Sequence, residues 1–345
     1  MPKIEREQLL KELESVTPGL SVREIIEQSS CFVFRKGKVC TFNDEIACWM
    51  ESALTITGAV QANTLLNLLR KLPEDTIDIS IDHDKLVVKG KRRRARVILE
   101  SEVTLPIDSI RQPKSWKTLP ADFLEGLSLV QDCVGKDETN FVLTCVHIHP
   151  DKLEASDNDR VAKFKTKTDL DKPTLIRKDS IKHIVSLGMT EFGETKNWMH
   201  FRNVNGLVIS CRRYSEDFPD TDPAFKIKGK KMSLPKGLEG AAERASVFTT
   251  DNAEDDDILI SLSTGKATIV GTGANGDFRE VKKVEYAGPE LTFMISPNQL
   301  IALTKKHNDA IVSQEKLKCK SGKFEFVAAL GVVGEGDEDE QETEE

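Results

Sequence analysis

Residues 59–73 read AVQANTLLNLLRKLP. Leu65, Leu66 and Leu69 fall at the spacing of one helical face, and Arg70-Lys71 supply a basic stop at its end. The same form returns as LIRKDSIKHIVSLG at 175–188, with Ile181, Ile184 and Val185 on the apolar face and Gly188 as the stop. It returns again as MISPNQLIALTKKH at 294–307, with Leu300, Ile301 and Leu303, ending in Lys305-Lys306. The three stretches are read as helices and recur at about a third of the chain length, so a threefold internal repeat is the first hypothesis to test.

The surroundings of each stretch repeat as well. Downstream lies an alternating hairpin, TIDISIDHDKLVVKG at 76–90, NWMHFRNVNGLVISC at 197–211 and AIVSQEKLKCKSGKFEFVAAL at 310–330. Polar turns divide these period-two runs, which marks antiparallel pairs. Upstream, a further helix and hairpin precede each stretch: EREQLLKELESV then CFVFRKGKVCTFN, LPADFLEGLSLVQDC then VLTCVHIHPDKLEASD, and LEGAAERASVFT then DILISLSTGKATIVG. Helix, strands, helix, strands three times over predicts an α+β protein of repeated units, each with two helices on antiparallel sheet. Boundaries fall near Pro113-Lys114 and in the stretch from Pro219 to Lys231, giving units 1–113, 114–226 and 227–333 and a tail 334–345.

Composition fits this. The 345 residues are too many for one core, and 39% hydrophobic with 31% charged residues is a globular balance. No stretch approaches the ~20 apolar residues of a membrane span, and the charged amphipathic start MPKIEREQLLKELESV has no secretory h-region. The cytoplasm is the expected compartment. Seven scattered cysteines without a C-x-x-C pair are read as reduced fillers. The net charge of −8 argues against nucleic acid until its distribution is seen. Residues 334–345, GEGDEDEQETEE, hold eight acids and no base, so residues 1–333 are formally neutral and have room for a basic face. The tail is read as a disordered solvated segment that discourages DNA contact elsewhere.

Several local stretches then acquire a common meaning. The opening IEREQLLKELESVTPGL, the run Leu153-Glu154-Ala155-Ser156-Asp157-Asn158-Asp159-Arg160-Val161-Ala162, the tripeptide Phe218-Pro219-Asp220 and the pentapeptide Val284-Glu285-Tyr286-Ala287-Gly288 occur in that order. They resemble E-R-E-x-L-L, A-T-D-G-H-R-L-A, F-P-D and V-x-Y-x-G of the bacterial-type sliding clamp, the beta subunit of DNA polymerase III and its processivity factor. The resemblance spans nearly the whole chain. Asn158 and Asp159 depart from it, standing where the family has glycine and histidine, and so does the acidic tail. Drift of this kind suits a divergent or phage-encoded clamp.

The resemblance implies a ring that forms on dimerisation, encircles double-stranded DNA without reading sequence, and captures a DNA polymerase and a clamp loader through short linear motifs. It implies no catalysis and no cofactor. Arg23, Lys136, Arg177 and Lys178 match the family's DNA-contacting positions, and Arg70, Lys71, Lys182, Lys305 and Lys306 join them from helix ends; plain solvated charge is the alternative for each. The family's peptide pocket maps to Val142, Ser156, Asn158, Arg160, Val161, Pro219, Ala224, Val327, Ala328 and Ala329, whose small side chains imply a wide pocket. Val247 and Phe248 match its apolar interface pair, with Leu99 on the facing edge strand and Arg244 and Arg279 as ion-pair partners across the seam.

Other motifs support less. Gly271-Thr272-Gly273-Ala274-Asn275-Gly276 has the dinucleotide spacing, but the strand-like DFREVKKVEY follows where a helix is needed, so it is read as a flexible hairpin connection. His147 and His149 share a strand face without a third ligand, so no metal site is expected. The basic run 89–96 is an exposed loop with an accessory DNA or interface role, or simple solvation. The alternatives to a clamp are a nucleotide-binding or nucleic-acid-processing enzyme, and a clamp-fold adaptor that does not close a ring.

Overall fold

The computed structural model describes residues 3–234, 236–249, 257–304 and 309–331, the side chains of Asn298, Gln299, Ala302 and Leu303 excepted. The acidic segment 334–345 and the Lys305-Lys306 pair lie outside the described residues. Six α-helices occur among them: α1 (Arg6–Ser15), α2 (Ala62–Lys71), α3 (Phe123–Val130), α4 (Lys178–Ser186), α5 (Leu238–Thr249) and α6 (Pro297–Thr304). α1 packs on α2, α3 on α4 and α5 on α6, so the helix pair recurs three times as the sequence pattern requires. The strand pairings that accompany them are antiparallel, and the fold class is α+β.

Contacts group the chain into two units, each described by itself. The first comprises residues 1–131, 145–150 and 167–216. Its larger sheet runs Gly58–Gln61, Cys31–Arg35, Lys38–Phe42, Ile46–Glu51, Val208–Arg212, Trp198–Arg202, Glu191–Glu194, Lys117–Thr118. Ala47 pairs with Ser210 at its centre, which ties the first sequence repeat to the second. A four-stranded sheet, Lys3–Glu5, Thr76–Asp82, Lys85–Lys89, Arg94–Ile98, completes this unit together with the pair Cys145–His149 and Thr174–Arg177. The second unit comprises residues 132–144, 151–166 and 217–345. Here Lys152–Ser156, Arg160–Lys165, Phe324–Ala329, Lys316–Ser321, Asp309–Val312 and Lys230–Ser233 lie side by side, and a four-stranded sheet runs Gly276–Lys283, Lys266–Gly273, Ile258–Ser263, Leu291–Ile295.

Each repeated stretch begins as a strand and not, as the sequence reading had it, as a helix. Gly58–Gln61, Thr174–Arg177 and Leu291–Ile295 come first, and α2, α4 and α6 start only at Ala62, Lys178 and Pro297. The reason is the apolar doublet at each start. Ala59-Val60 and Leu175-Ile176 bury both side chains, on opposite faces of a strand, and their backbone groups enter a ladder. Past the doublets the helical period holds: α2 buries Ala62, Leu65, Leu66 and Leu69, and α4 buries Ser180, Ile181 and Ile184. At roughly 1.5–3 kcal/mol per buried leucine or isoleucine, these faces outweigh the weak intrinsic helicity of ten-residue segments.

All seven cysteines are buried and unbridged. Burial pushes the thiols of Cys31 and Cys40 up to about 11 and of Cys319 up to about 12, which removes the thiolate and with it their reactivity. His200 is also fully buried, its Nδ1 2.5 Å from Ser210 Oγ and its Nε2 3.0 Å from Thr195 Oγ1. Desolvation pushes its pKa down to about 4, so the ring is neutral at physiological pH.

Candidate functional site

The residues expected to form a peptide pocket all lie in the second unit, several of them on or beside one turn. Strands Lys152–Ser156 and Arg160–Lys165 form a hairpin in register Ser156 to Val161, and Val161 pairs in turn with Val327. In the turn the Asp157 N–H bonds Arg160 O at 3.1 Å, and the Arg160 N–H and Nε donate to the Asp157 carboxylate at 2.7 Å each. Burial lowers the Arg160 pKa, but the Asp157 carboxylate more than offsets it and the net shift is upward. Asp157 is therefore a turn former, as its setting in the sequence implies. Asn158 takes φ 80°, the left-handed conformation, which explains how it replaces a family glycine: asparagine tolerates this region at little cost.

Alternation along the strands decides which side chains share the site. Ser156, Val161, Val327 and the exposed Ala329 point to one face together with Glu154, Lys163, Glu325 and Lys318. Ala328 faces the other way and is fully buried, so it is removed from the pocket wall. The Arg160 backbone shares that opposite register while its guanidinium turns back to Asp157. Pro219 is exposed, Ala224 is half-buried against Val161 and Val327, and Val142 is half-buried in the 3₁₀ turn Glu138–Thr144.

The residue the sequence reading missed is Phe225. Its ring is buried among Val161, Val327 and Ala224, with Lys163 Nζ 4.2 Å and Lys318 Nζ 5.5 Å from its centroid. Where a wide pocket was expected, the Phe225 ring packs against Val161 and Val327. Polar contacts fix the segment that carries the ring. Lys318 Nζ donates to Phe225 O at 3.1 Å, Lys163 Nζ to Asp222, and Thr221 Oγ1 to the buried Glu154 at 2.7 Å. The Lys163 ammonium holds the Asp222 carboxyl below the usual range. Burial raises the Glu325 carboxyl, but its bond from Lys318 and the charges of Lys318 and Lys320 outweigh it, so the net shift is downward.

The cationic candidates divide by unit. In the first, Arg23 stands exposed between exposed Val22 and Ile25, on a loop whose Glu24 accepts from the Gln28 N–H and from Ser30 Oγ at 3.0 Å. Arg70 is paired with Glu14 of α1 at 2.8 Å and Lys71 is exposed beside it. Arg177 and Lys178 occupy the N-terminus of α4, the end where a helix already concentrates positive potential. Lys182 is exposed and bridged to Asp179 at 2.9 Å. In the second unit, Lys136 is exposed on the loop after the turn Gln131–Cys133.

The interface candidates sit at two sheet edges. Strand Arg94–Ile98 is an edge of the first unit's four-stranded sheet; Ile98 is 67% exposed and Leu99 only 4%, so the available apolar side chain is Ile98 and not Leu99. In the second unit Val247 is 68% exposed on α5, while Phe248 stacks on Phe278 of the edge strand Gly276–Lys283 at 6.3 Å. Arg244 is already engaged by Glu280 at 2.6 Å, within the chain rather than across a seam. The glycine motif is explained here too. A Cβ on Gly271 or Gly273 would come within 2.2 Å of Ala245 O or 1.8 Å of Phe248 O, so these glycines let α5 lie directly on the strand. The turn at Ala274-Asn275 then reverses the chain into the next strand.

Among the described residues no group of three histidine, cysteine or carboxylate side chains is placed to hold a metal, and no helix is long and apolar enough to cross a membrane.

No protein-family model matches the chain, and no curated protein sequence does. Solved structures do. The chain is similar to a sliding clamp, DNA polymerase III subunit beta, of Pseudomonas aeruginosa bound to griselimycin, at 17% identity and TM-score 0.83 over 96% of this chain and 99% of that one. It is similar to the corresponding protein of Bartonella birtlesii at 15% identity and TM-score 0.85, and to the DNA polymerase sliding clamp of Bacillus subtilis at 16% and 0.80, each with the same coverage. From one end to the other, the chain has the fold of the bacterial DNA polymerase III beta sliding clamps.

Proposed function

We propose that this chain is a DNA sliding clamp, a processivity factor that closes as a homodimeric ring of six repeated domains around duplex DNA and performs no chemistry. The observation that carries the reading is the end-to-end likeness to clamp structures, which leaves neither a missing domain nor an added one within residues 3–331. Domains 1–113, 114–226 and 227–333 supply the helix pairs. A ring that slides holds DNA through phosphate charge, because base readout would pin it to one sequence. Arg23, Lys71, Lys136, Arg177 and Lys178 supply that charge, with Arg70 and Lys182 set in ion pairs that DNA can exchange.

Ring closure pairs the edge strand Arg94–Ile98 of one copy with the edge strand Gly276–Lys283 of the next, head to tail. Ile98, Val247 and the Phe248–Phe278 stack then form its apolar centre. Partner polymerases and loaders dock an aliphatic or aromatic anchor beside Val161, Val327, Ala224 and Ala329, with Phe225 as the floor. The protein works in the cytoplasm, where its DNA is.

Light scattering tests ring assembly. The chain should elute at twice its 38.5 kDa mass at micromolar concentration, and Val247→Asp with Phe248→Asp should give a folded monomer. A wild-type monomer under those conditions would leave the adaptor reading in place.

A further inference from the structure

Independently of the clamp reading, the second unit contains a cleft of about 650 Å³ whose charge is unbalanced. Lys226, Lys228 and Lys230 approach it from one segment and Lys316 from the turn opposite, against two carboxylates, Glu290 and Glu315. None of these four lysines forms an ion pair among the described residues, whereas Lys152, Lys163, Lys165, Lys318 and Lys320 of the same unit each lie within 4.0 Å of a carboxylate of Glu154, Asp222 or Glu325. Each of those lysines has a carboxylate at ion-pair distance, three of them sharing Glu325, and at this cleft none of the four has one.

The chain leaves the described structure at the rim of the same cleft. The Leu330 N–H donates to Glu315 O at 2.8 Å, and Gly331 exchanges both backbone hydrogen bonds with Met294, at 2.9 and 3.1 Å. Glu315 lines the cleft, and so does Leu291 of the strand that carries Met294. The eight acids of the C-terminus begin at Glu335, four residues beyond Gly331. At roughly 3.3–3.6 Å per extended residue, the first acid reaches about 13 Å and the last about 46 Å, so all of them can be brought to the lysines.

We propose that residues 335–345 of this chain dock in the cleft walled by Lys226, Lys228, Lys230 and Lys316, as an acidic segment held in cis. Each exposed ion pair is weak, but a short tether fixes the effective concentration near the millimolar range, so low intrinsic affinity suffices for occupancy. The contact is electrostatic and exposed, and salt dissolves it once the Debye length falls to a few ångströms. While docked, the segment covers a lysine cluster that otherwise attracts phosphate.

Zero-length carbodiimide cross-linking of the full chain, read by mass spectrometry, tests this. The reagent joins a lysine amine to a carboxylate with loss of water, so it reports ion-pair distance. Links from the acids at 335–345 should concentrate on the four cleft lysines and arise within one chain in a mixture of isotope-labelled and unlabelled protein. They should fall about five-fold or more in about 0.5 M salt. Replacing Lys226, Lys228, Lys230 and Lys316 with alanine should abolish them, and Lys226→Ala with Lys228→Ala, which alters only exposed residues outside the strands, should at least halve them in a protein of unchanged Tm. Links spread evenly over exposed lysines such as Lys91, Lys136 and Lys182, links that survive high salt, or links that join two chains would each overturn the proposal.

Discussion

Asn158 holds φ 80° in the turn between two strands of the candidate pocket, a conformation asparagine accepts and a β-branched residue does not. In the sequence its replacement of a family glycine reads as drift; in the structure it preserves the turn. Phe225 is the opposite case. The sequence places it one residue past Ala224 without a signal of its role, because the role depends on Val161 and Val327 being register partners 166 residues apart in sequence. The available clue was the alternation of Val161 with Lys163 on one strand against Val327 with Glu325 on the other. His200 carries the prediction at this scale. Its folded pKa of about 4 lies below the roughly 6.5 of an unfolded histidine, so between those values the unfolded chain binds the extra proton. Stability from this group is complete above pH ~6.5 and falls by about 3 kcal/mol as pH drops to ~4, with no further loss below. Urea midpoints measured across that range should show the slope in the wild type and lose it in His200→Gln; an identical slope in both would assign it to other groups.

The helix pairs and their hairpins were legible because amphipathic period and turn residues are local properties. The strands that open each repeated stretch were not, since Ala59-Val60 and Leu175-Ile176 fit a helical period as well as a ladder and only their buried strand partners decide. Gly271 and Gly273 were noticed as a motif, and the strand that follows correctly excluded a dinucleotide site. Their actual use, close approach of α5, depends on where a helix some twenty-five residues upstream comes to rest. Gly273→Ala should therefore cost about 1–3 kcal/mol by denaturation and weaken the Phe248–Phe278 stack, because the new methyl must displace the α5 backbone. The same substitution at Gly206, a hairpin turn with nothing within 4 Å of its Cβ, should register the cost of its positive φ alone without disturbing α5.

For the molecule as a whole, the −8 net charge pointed away from DNA until the acidic C-terminus was separated from a neutral body, and the threefold pattern pointed to the clamp fold that the chain has. At the proposed interface, α5 exposes Val247, while the edge strand Arg94–Ile98 exposes Ile98 and the neighbouring Leu99 is buried, since one residue along a strand reverses the face. The charges proposed to face DNA are distributed over both units and rest on exposure or on helix-end placement, each a small argument alone. The central claim is topological, and retention on DNA tests it most directly. Loaded by its cognate loader onto nicked circular plasmid and passed through a sizing column in moderate salt, the protein should stay with the circle and be lost when a single cut linearises it. Equal loss from circular and linear DNA, or equal retention on both, would contradict a ring that encircles and slides.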